Sequence, residues 1–236
     1  MAHPAVRHPA VSHCAPTLAL LSALCGTTPA PAAGLDVHVT AAGAPLDDVV
    51  IAVHGGVLDV HAPRTHVVDQ VDKQFAPRIA AIRVGDSVRF PNSDDIRHHV
   101  YSFSPAKSFE LPLYHGMPTQ PVVFERPGKV VLGCNIHDRM AAWVYVLDAP
   151  RFALSAHGTA RFAALPPGRY EVALWHPHQR AGDEGVRHVI ELDDADRVVT
   201  FELVLTPPPA LPASALSPLE AKFRALREAA RTGSAQ

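Results

Sequence analysis

At 236 residues the chain has room for one large domain or two small ones, and a composition of 47% hydrophobic and 19% charged residues excludes disorder over most of its length. Lys+Arg 21 against Asp+Glu 23 gives a net charge of −2, so there is no overall basic field to hold nucleic acid. With 23 Pro and 14 Gly the chain resists long helices and favours short strands joined by turns.

Residues 1–32 read as a secretory signal peptide. Arg7 is their one formal charge, the apolar run from Thr17 to Leu24 follows, and Ala30-Pro31-Ala32 is a small-x-small cleavage pattern. The run is shorter than the about 20 residues that a membrane span needs, and no other stretch reaches that length. Lipid attachment at Cys25 ranks second, because Leu24 stands where such a site wants a small residue. The expectation is an exported, soluble periplasmic protein whose mature chain begins near Ala33. Cleavage there removes Cys14 and Cys25 and leaves Cys134 alone, which excludes an internal disulfide. A single thiol in an oxidising compartment needs either burial or a metal.

From Leu35 the pattern Leu-Asp-Val-His-Val-Thr alternates, turns at Ala42-Gly43-Ala44-Pro45, and resumes with the apolar run Val49–Val53, as a β-hairpin does. Further strands are expected at 82–84, 87–90, 99–103, 122–125, 129–132, 143–147, 161–164, 170–174, 186–192 and 198–205. Turns at Val84-Gly85-Asp86, Arg126-Pro127-Gly128 and Pro166-Pro167-Gly168 punctuate them at the short spacing of a β-sandwich. Residues 207–236 read as a Pro-rich linker and a C-terminal helix, opened by the capping box Ser217-Pro218-Leu219-Glu220. Leu219, Phe223, Leu226 and Ala230 make its apolar stripe, and Lys222, Arg224, Arg227 and Arg231 outnumber Glu220 and Glu228. Docking on the protein's own acidic body is the preferred reading of that tail; weak contact with an anionic membrane surface is the other.

The strongest chemical signal is Cys134-Asn-Ile-His137-Asp-Arg-Met140, which puts a soft thiolate, an imidazole and a thioether within seven residues. A Cys leaving a strand, a His in the loop and a Met starting the next strand can converge on one ion. Two imidazoles, a thiolate and a weak axial Met form the blue-copper set, so a second His must come from elsewhere, and Arg97-His98-His99-Val100 offers it. His98 and His99 point to opposite faces of a strand, so only one can be an inward ligand. Zinc is the competing metal, but its sites rarely use Met.

These residues resemble the cupredoxin superfamily, in particular the plastocyanin and amicyanin group. Asn92-x-Asp94-x-x-x-His98-x-Val100 is similar to its first-histidine strand, Pro127-Gly128 to the turn into its cysteine strand, and the C-x-x-H-x-x-M spacing to the short amicyanin loop. Gln74-Phe75-Ala-Pro77 and Ile82–Val88 are similar to its opening hairpin, so the likeness covers about 66–148. Phe90-Pro-Asn-Ser-Asp94, His98–Ser104 and Gly133-Cys-Asn-Ile-His137 also resemble bacterial proteins labelled methylamine utilisation proteins. The resemblance implies one type 1 copper held by His98, Cys134, His137 and Met140, with His98 preferred over His99 and His137 as the electron exit. The chain departs from the family at His99, where Asn is usual, at Ile136, where Pro is usual, and at Val130 and Leu132, which replace aromatics. Arg97 and Arg139 adjoin the ligands, with Asp138 between them in charge. His54, His61, His115, His176 and His178 have no partner spacing and are expected at the surface.

Residues 150–206 contain Leu165-Pro-Pro-Gly168-Arg-Tyr170 after a turn and short strand, which resembles the carboxypeptidase regulatory-like sandwich. That fold begins with a hairpin of the kind at 35–53. The expected architecture is therefore all-β: a cupredoxin Greek-key sandwich, 66–148, inserted in or adjacent to a second small sandwich made of 34–62 and 150–206, plus the C-terminal helix. Paired carboxylates, a Ser-His-Asp arrangement and a phosphate-cradling Gly loop are all missing at any readable spacing, so catalysis is not indicated. The family likeness implies a carrier of single electrons between redox partners; the alternatives are a copper carrier or sensor, and a structural module whose copper only staples the fold.

Overall fold

The computed structural model describes residues 32–56, 62–118, 120–180 and 185–206. The expected signal peptide lies outside these residues but for its last position, and so do the expected linker and C-terminal helix, and His61. Every regular element among the described residues is a strand, and no helix there is long and apolar enough to cross a membrane.

The alternating segment at the start forms β1 (Ala33–Ala41), and the turn after it leads through the two-residue β2 (Ala44–Pro45) to β3 (Val50–His54). Three short strands follow, β4 (Thr65–Val67), β5 (Asp69–Val71) and β6 (Gln74–Ala76). The central stretch contains β7 (Ile79–Arg83), β8 (Ser87–Arg89), β9 (His98–Ser104), β10 (Lys107–Tyr114), β11 (Val122–Val123), β12 (Gly128–Cys134) and β13 (His137–Leu147). Last come β14 (Arg151–Leu154), β15 (Thr159–Leu165), β16 (Gly168–Trp175), β17 (Val186–Leu192) and β18 (Arg197–Glu202).

One five-stranded sheet has the order β10-β9-β12-β13-β7, with β13 and β7 parallel, and a three-stranded sheet has the order β11-β8-β4. Both contribute to a core that includes Phe75, Phe90, Phe124, Leu132 and Val144. A second pair of sheets, β15-β1-β18 with β2 on β1, and β14-β3-β16-β17, buries a separate core of Leu35, Val37, Ile51, Phe162, Val172 and Leu174. All strand pairing stays within 65–147 or within the combined segments 33–54 and 151–202.

The run Val49–Val53 carries no polar residue because β3 is covered on both faces, as continuous apolar strands usually are. Ile51 and Val53 enter the second core, while Val50 and Ala52 turn the other way and join Trp175, Ile79, Leu147 and Ala149 in a third cluster. That cluster joins the two sets of sheets. Within it the Tyr145 and Trp175 rings stack at 4.9 Å between centroids, 7° from parallel.

Several expected boundaries shift. The strand expected at 143–147 begins at His137, so His137 opens a strand rather than lying in a loop, and Met140 sits inside that strand rather than at its start. Residues 107–114 form a strand that the pattern did not announce. The strand expected over 198–205 ends at Glu202, and that over 122–125 shrinks to two residues. His176, expected at the surface, is buried, with 8% of its surface exposed.

Candidate metal centre

His98 is the first residue of β9 and Cys134 the last of β12, and these antiparallel neighbours place both at one end of the sheet. Alternation sends His98, Val100 and Ser102 inward, each fully buried, and turns Tyr101 and Phe103 outward. On β12 the inward set is Val130, Leu132 and Cys134. Asn135 and Ile136 form the turn between β12 and β13, so Cys134 and His137 become register partners across a tight hairpin. Met140, three residues further on, is buried in the same core as Cys134.

The outcome is a cluster. His98 Nδ1 and His137 Nδ1 each lie 3.8 Å from Cys134 Sγ, and the two rings are 5.0 Å apart between centroids. The three donor atoms fall within 4.8 Å of one another, with His98 and Cys134 buried and His137 half-buried. Cys134 and Met140 both line a groove of about 470 Å³ whose outer wall includes Tyr101, Phe103 and Val131. Gly133 forms part of that wall because Tyr101 lies across it: a Cβ there would meet Tyr101 Cζ and Oη at 2.8 Å.

The orientation of His98 is set from behind. Asp94 Oδ2 lies 2.6 Å from His98 Nε2. A carboxylate only accepts, so in the neutral imidazole the hydrogen sits on Nε2 and the Nδ1 lone pair faces the thiol. Asp94 is itself held by the two-residue turn between β5 and β6. The Asp72 N–H donates to its Oδ1 at 2.6 Å and the Lys73 N–H to its Oδ2 at 2.9 Å. Asp72 and Lys73 have φ of 52° and 59°, the left-handed pair of a tight hairpin turn, which aims both N–H groups at one carboxylate. Burial disfavours the charged form of Asp94, but the Lys73 N–H, His98 and the Asp72 N–H outweigh it and hold the pKa below the ordinary value. Asn92 completes the support, its Nδ2 donating to the carbonyls of Ile96 and Tyr114 and its Oδ1 accepting from the Asp94 N–H.

His99 faces away from this cluster. Its Nε2 lies 2.8 Å from Glu110 Oε1, and its Nδ1 is buried without a hydrogen-bond partner among the described residues. Arg97, Asp138 and Arg139 are exposed. The sequence placed Asp94 only within the first-histidine motif and gave it no role at His98: a four-residue spacing brings side chains together on a helix, whereas this segment is a bend leading into a strand. The turn that grips Asp94 carries no signal of that role either. His176 and His178 stand apart from the cluster, 5.5 Å between ring centroids, and His178 meets the edge of Trp143.

No family model matches the chain, and no curated protein matches it. Among solved structures, the Cu-containing nitrite reductase (NirK) from Thermus scotoductus SA-01 is 25% identical, over 41% of this chain and 25% of its own, with a TM-score of 0.34. This chain thus spans only a quarter of that enzyme's length. A mutant of amicyanin in its Cu(I) form is 19% identical over 35% of this chain and 82% of its own, with a TM-score of 0.32. A purple cupredoxin from Nitrosopumilus maritimus is 21% identical over 35% of this chain and 99% of its own, with a TM-score of 0.31.

Proposed function

We propose that this protein is a cupredoxin-like type 1 copper protein that carries single electrons between redox partners in the periplasm. The observation that carries this reading is the pair of imidazole Nδ1 atoms set 3.8 Å from one buried thiol. The donor set fits copper. Two imidazoles, a thiolate and a weak thioether are the blue-copper ligands, whereas zinc sites seldom take methionine. Held by His98, Cys134, His137 and Met140, copper would supply a one-electron couple. The chain's own residues supply rigidity and dryness: burial of His98 and Cys134 keeps water out, and Asp94 fixes the His98 ring. His137, half-buried at the edge of the cluster, is the ligand nearest solvent and the exit for the electron.

The same reading makes 66–148 a cupredoxin domain inserted into a discontinuous carboxypeptidase regulatory-like sandwich, 34–62 with 150–206. Support comes from strand pairing that stays within each set and from the two separate cores. Assignment to the methylamine utilisation type rests on Phe90–Asp94 and Gly133–His137, and export on the signal pattern over 1–32.

The test is a visible spectrum of the copper-loaded protein. Intense thiolate-to-copper absorption is expected, lost in Cys134→Ser and in His98→Ala but kept in His99→Ala. Met140→Gln should keep copper and shift its potential, because the axial ligand is weak. Colour surviving in Cys134→Ser would reject the site. Copper bound without this absorption, or without reversible reduction, would favour carriage or a structural metal over electron transfer.

A further inference from the structure

Beside β13, on the flank of the hairpin that grips Asp94, lies a separate cavity of about 280 Å³. Lys73, Arg78 and Arg139 line it together with Gln74 and Ala141, and the only carboxylate in the lining is that of Asp72. Asp72 makes no ion pair with any of the three cations; its N–H is turned to Asp94 instead. Lys73, Arg78 and Arg139 likewise have no ion-pair partner among the described residues. Arg78 is steered by a ring, its Cζ lying 5.8 Å from the centroid of Trp143, which limits the guanidinium's freedom.

Three like charges around one small space repel each other, and an anion placed between them turns that repulsion into attraction. Guanidinium groups pair best with planar or tetrahedral oxyanions, to which they donate two parallel hydrogen bonds, and a lysine adds a mobile third donor. We infer that this cavity binds a small oxyanion of the phosphate or sulfate class. The inference stands apart from the metal reading, since it uses none of the proposed ligands.

Isothermal titration calorimetry of the full chain with inorganic phosphate, at ionic strength held constant with chloride, tests it. Saturable single-site binding is expected, accompanied by a change in tryptophan emission from Trp143. In the double variant Arg78→Gln, Arg139→Gln, affinity should fall at least about tenfold, because two of three charge-assisted partners are gone. Both arginines are exposed, so the variant keeps its fold, which its unchanged melting temperature in chloride verifies. Phenyl phosphate distinguishes the sources: tighter binding than inorganic phosphate assigns the site to a phosphoryl group on a larger molecule, and equal or weaker binding to the free ion. Heat no different from a chloride blank, or undiminished affinity in the folded double variant, would overturn the proposal.

Discussion

Asp94 and His98 form a fixed pair: the carboxylate takes the Nε2 hydrogen at 2.6 Å, and the opposite nitrogen of the same ring faces Cys134 Sγ at 3.8 Å. The hairpin turn at Asp72 and Lys73 thereby acts on the candidate metal centre without touching it. Partners of this kind fix the ligand's tautomer and ring orientation.

Asp94→Asn should therefore lower copper affinity by about 10–100-fold while the protein stays folded. Asparagine keeps an acceptor oxygen for the turn, yet removes the charge that fixes the imidazole hydrogen. Competition with a chelator of known affinity measures the loss. Affinity equal to that of the parent protein would mean that His98 is oriented by packing alone.

Gly133 is a second point of control. Its backbone is ordinary, but an added Cβ would lie 2.8 Å from the end of the Tyr101 ring. Gly133→Ala should cost about 1–3 kcal/mol, as overpacking does. Because the obstacle is a side chain that can be shortened, Tyr101→Ala in the same chain should return most of the loss. Urea unfolding of the two single variants and the double variant gives the coupling; two additive costs would show that the rings and backbone do not interfere.

The candidate metal cluster was legible because its residues are chemically rare and locally spaced: Cys134, His137 and Met140 fall in one hairpin, and His98 opens the strand β9, one residue before the expected start. The face of the strand was not readable from the pattern: alternation sets Tyr101 and Phe103 on the side of His99 and only Val100 and Ser102 on that of His98, so the preference for His98 came from the family likeness alone. Strand β10 was hidden by Pro112, which argues against a central strand; β10 is an edge, where a missing N–H costs little. The three-residue strands β4, β5 and β6 are too short to show a period. His176 was misplaced for a different reason. It follows Trp175 at the end of β16, and its ring meets that of His178, which in turn meets Trp143 of the other set of sheets; contacts between distant segments leave no mark on local spacing.

That buried histidine gives a pH dependence. Burial, aided by the neighbouring His178, pushes the pKa of His176 down from 6.5 to about 4. The unfolded chain then takes up a proton between those values that the folded chain refuses. Stability is complete above about pH 6.5 and declines as pH falls towards about 4, by up to about 3 kcal/mol. Lowered carboxylates such as Asp86 and Asp94 lose their contributions below 3.8, outside this window. Urea unfolding at pH 7.5 and pH 4.5 should show the decline in the parent protein and a smaller one in His176→Gln. Parallel declines in both would place the titrating group elsewhere.

The stacked pair of Tyr145 and Trp175 links the two cores, with Trp175 in β16 and Tyr145 in β13, the strand that also carries His137 and Met140. Trp175 has only 6% of its surface exposed, and its neighbours in the third cluster include Ile79 and Leu147 from one set of sheets and Val50 and Ala52 from the other. Removing the ring takes away apolar contacts on both sides, so Trp175→Ala should cost about 3–5 kcal/mol. The strands bearing His98, Cys134, His137 and Met140 pair only within 65–147, and none of those residues is in the third cluster. Copper colour should consequently survive the substitution at low temperature. On heating, the parent protein should unfold in one transition followed equally by colour and by far-ultraviolet circular dichroism. In Trp175→Ala the join is weakened while the first core keeps its contacts, so part of the dichroism should be lost before the colour. If colour and dichroism still vanished together in the variant, the two cores would be one cooperative unit, and the inserted-domain reading of 66–148 would fail.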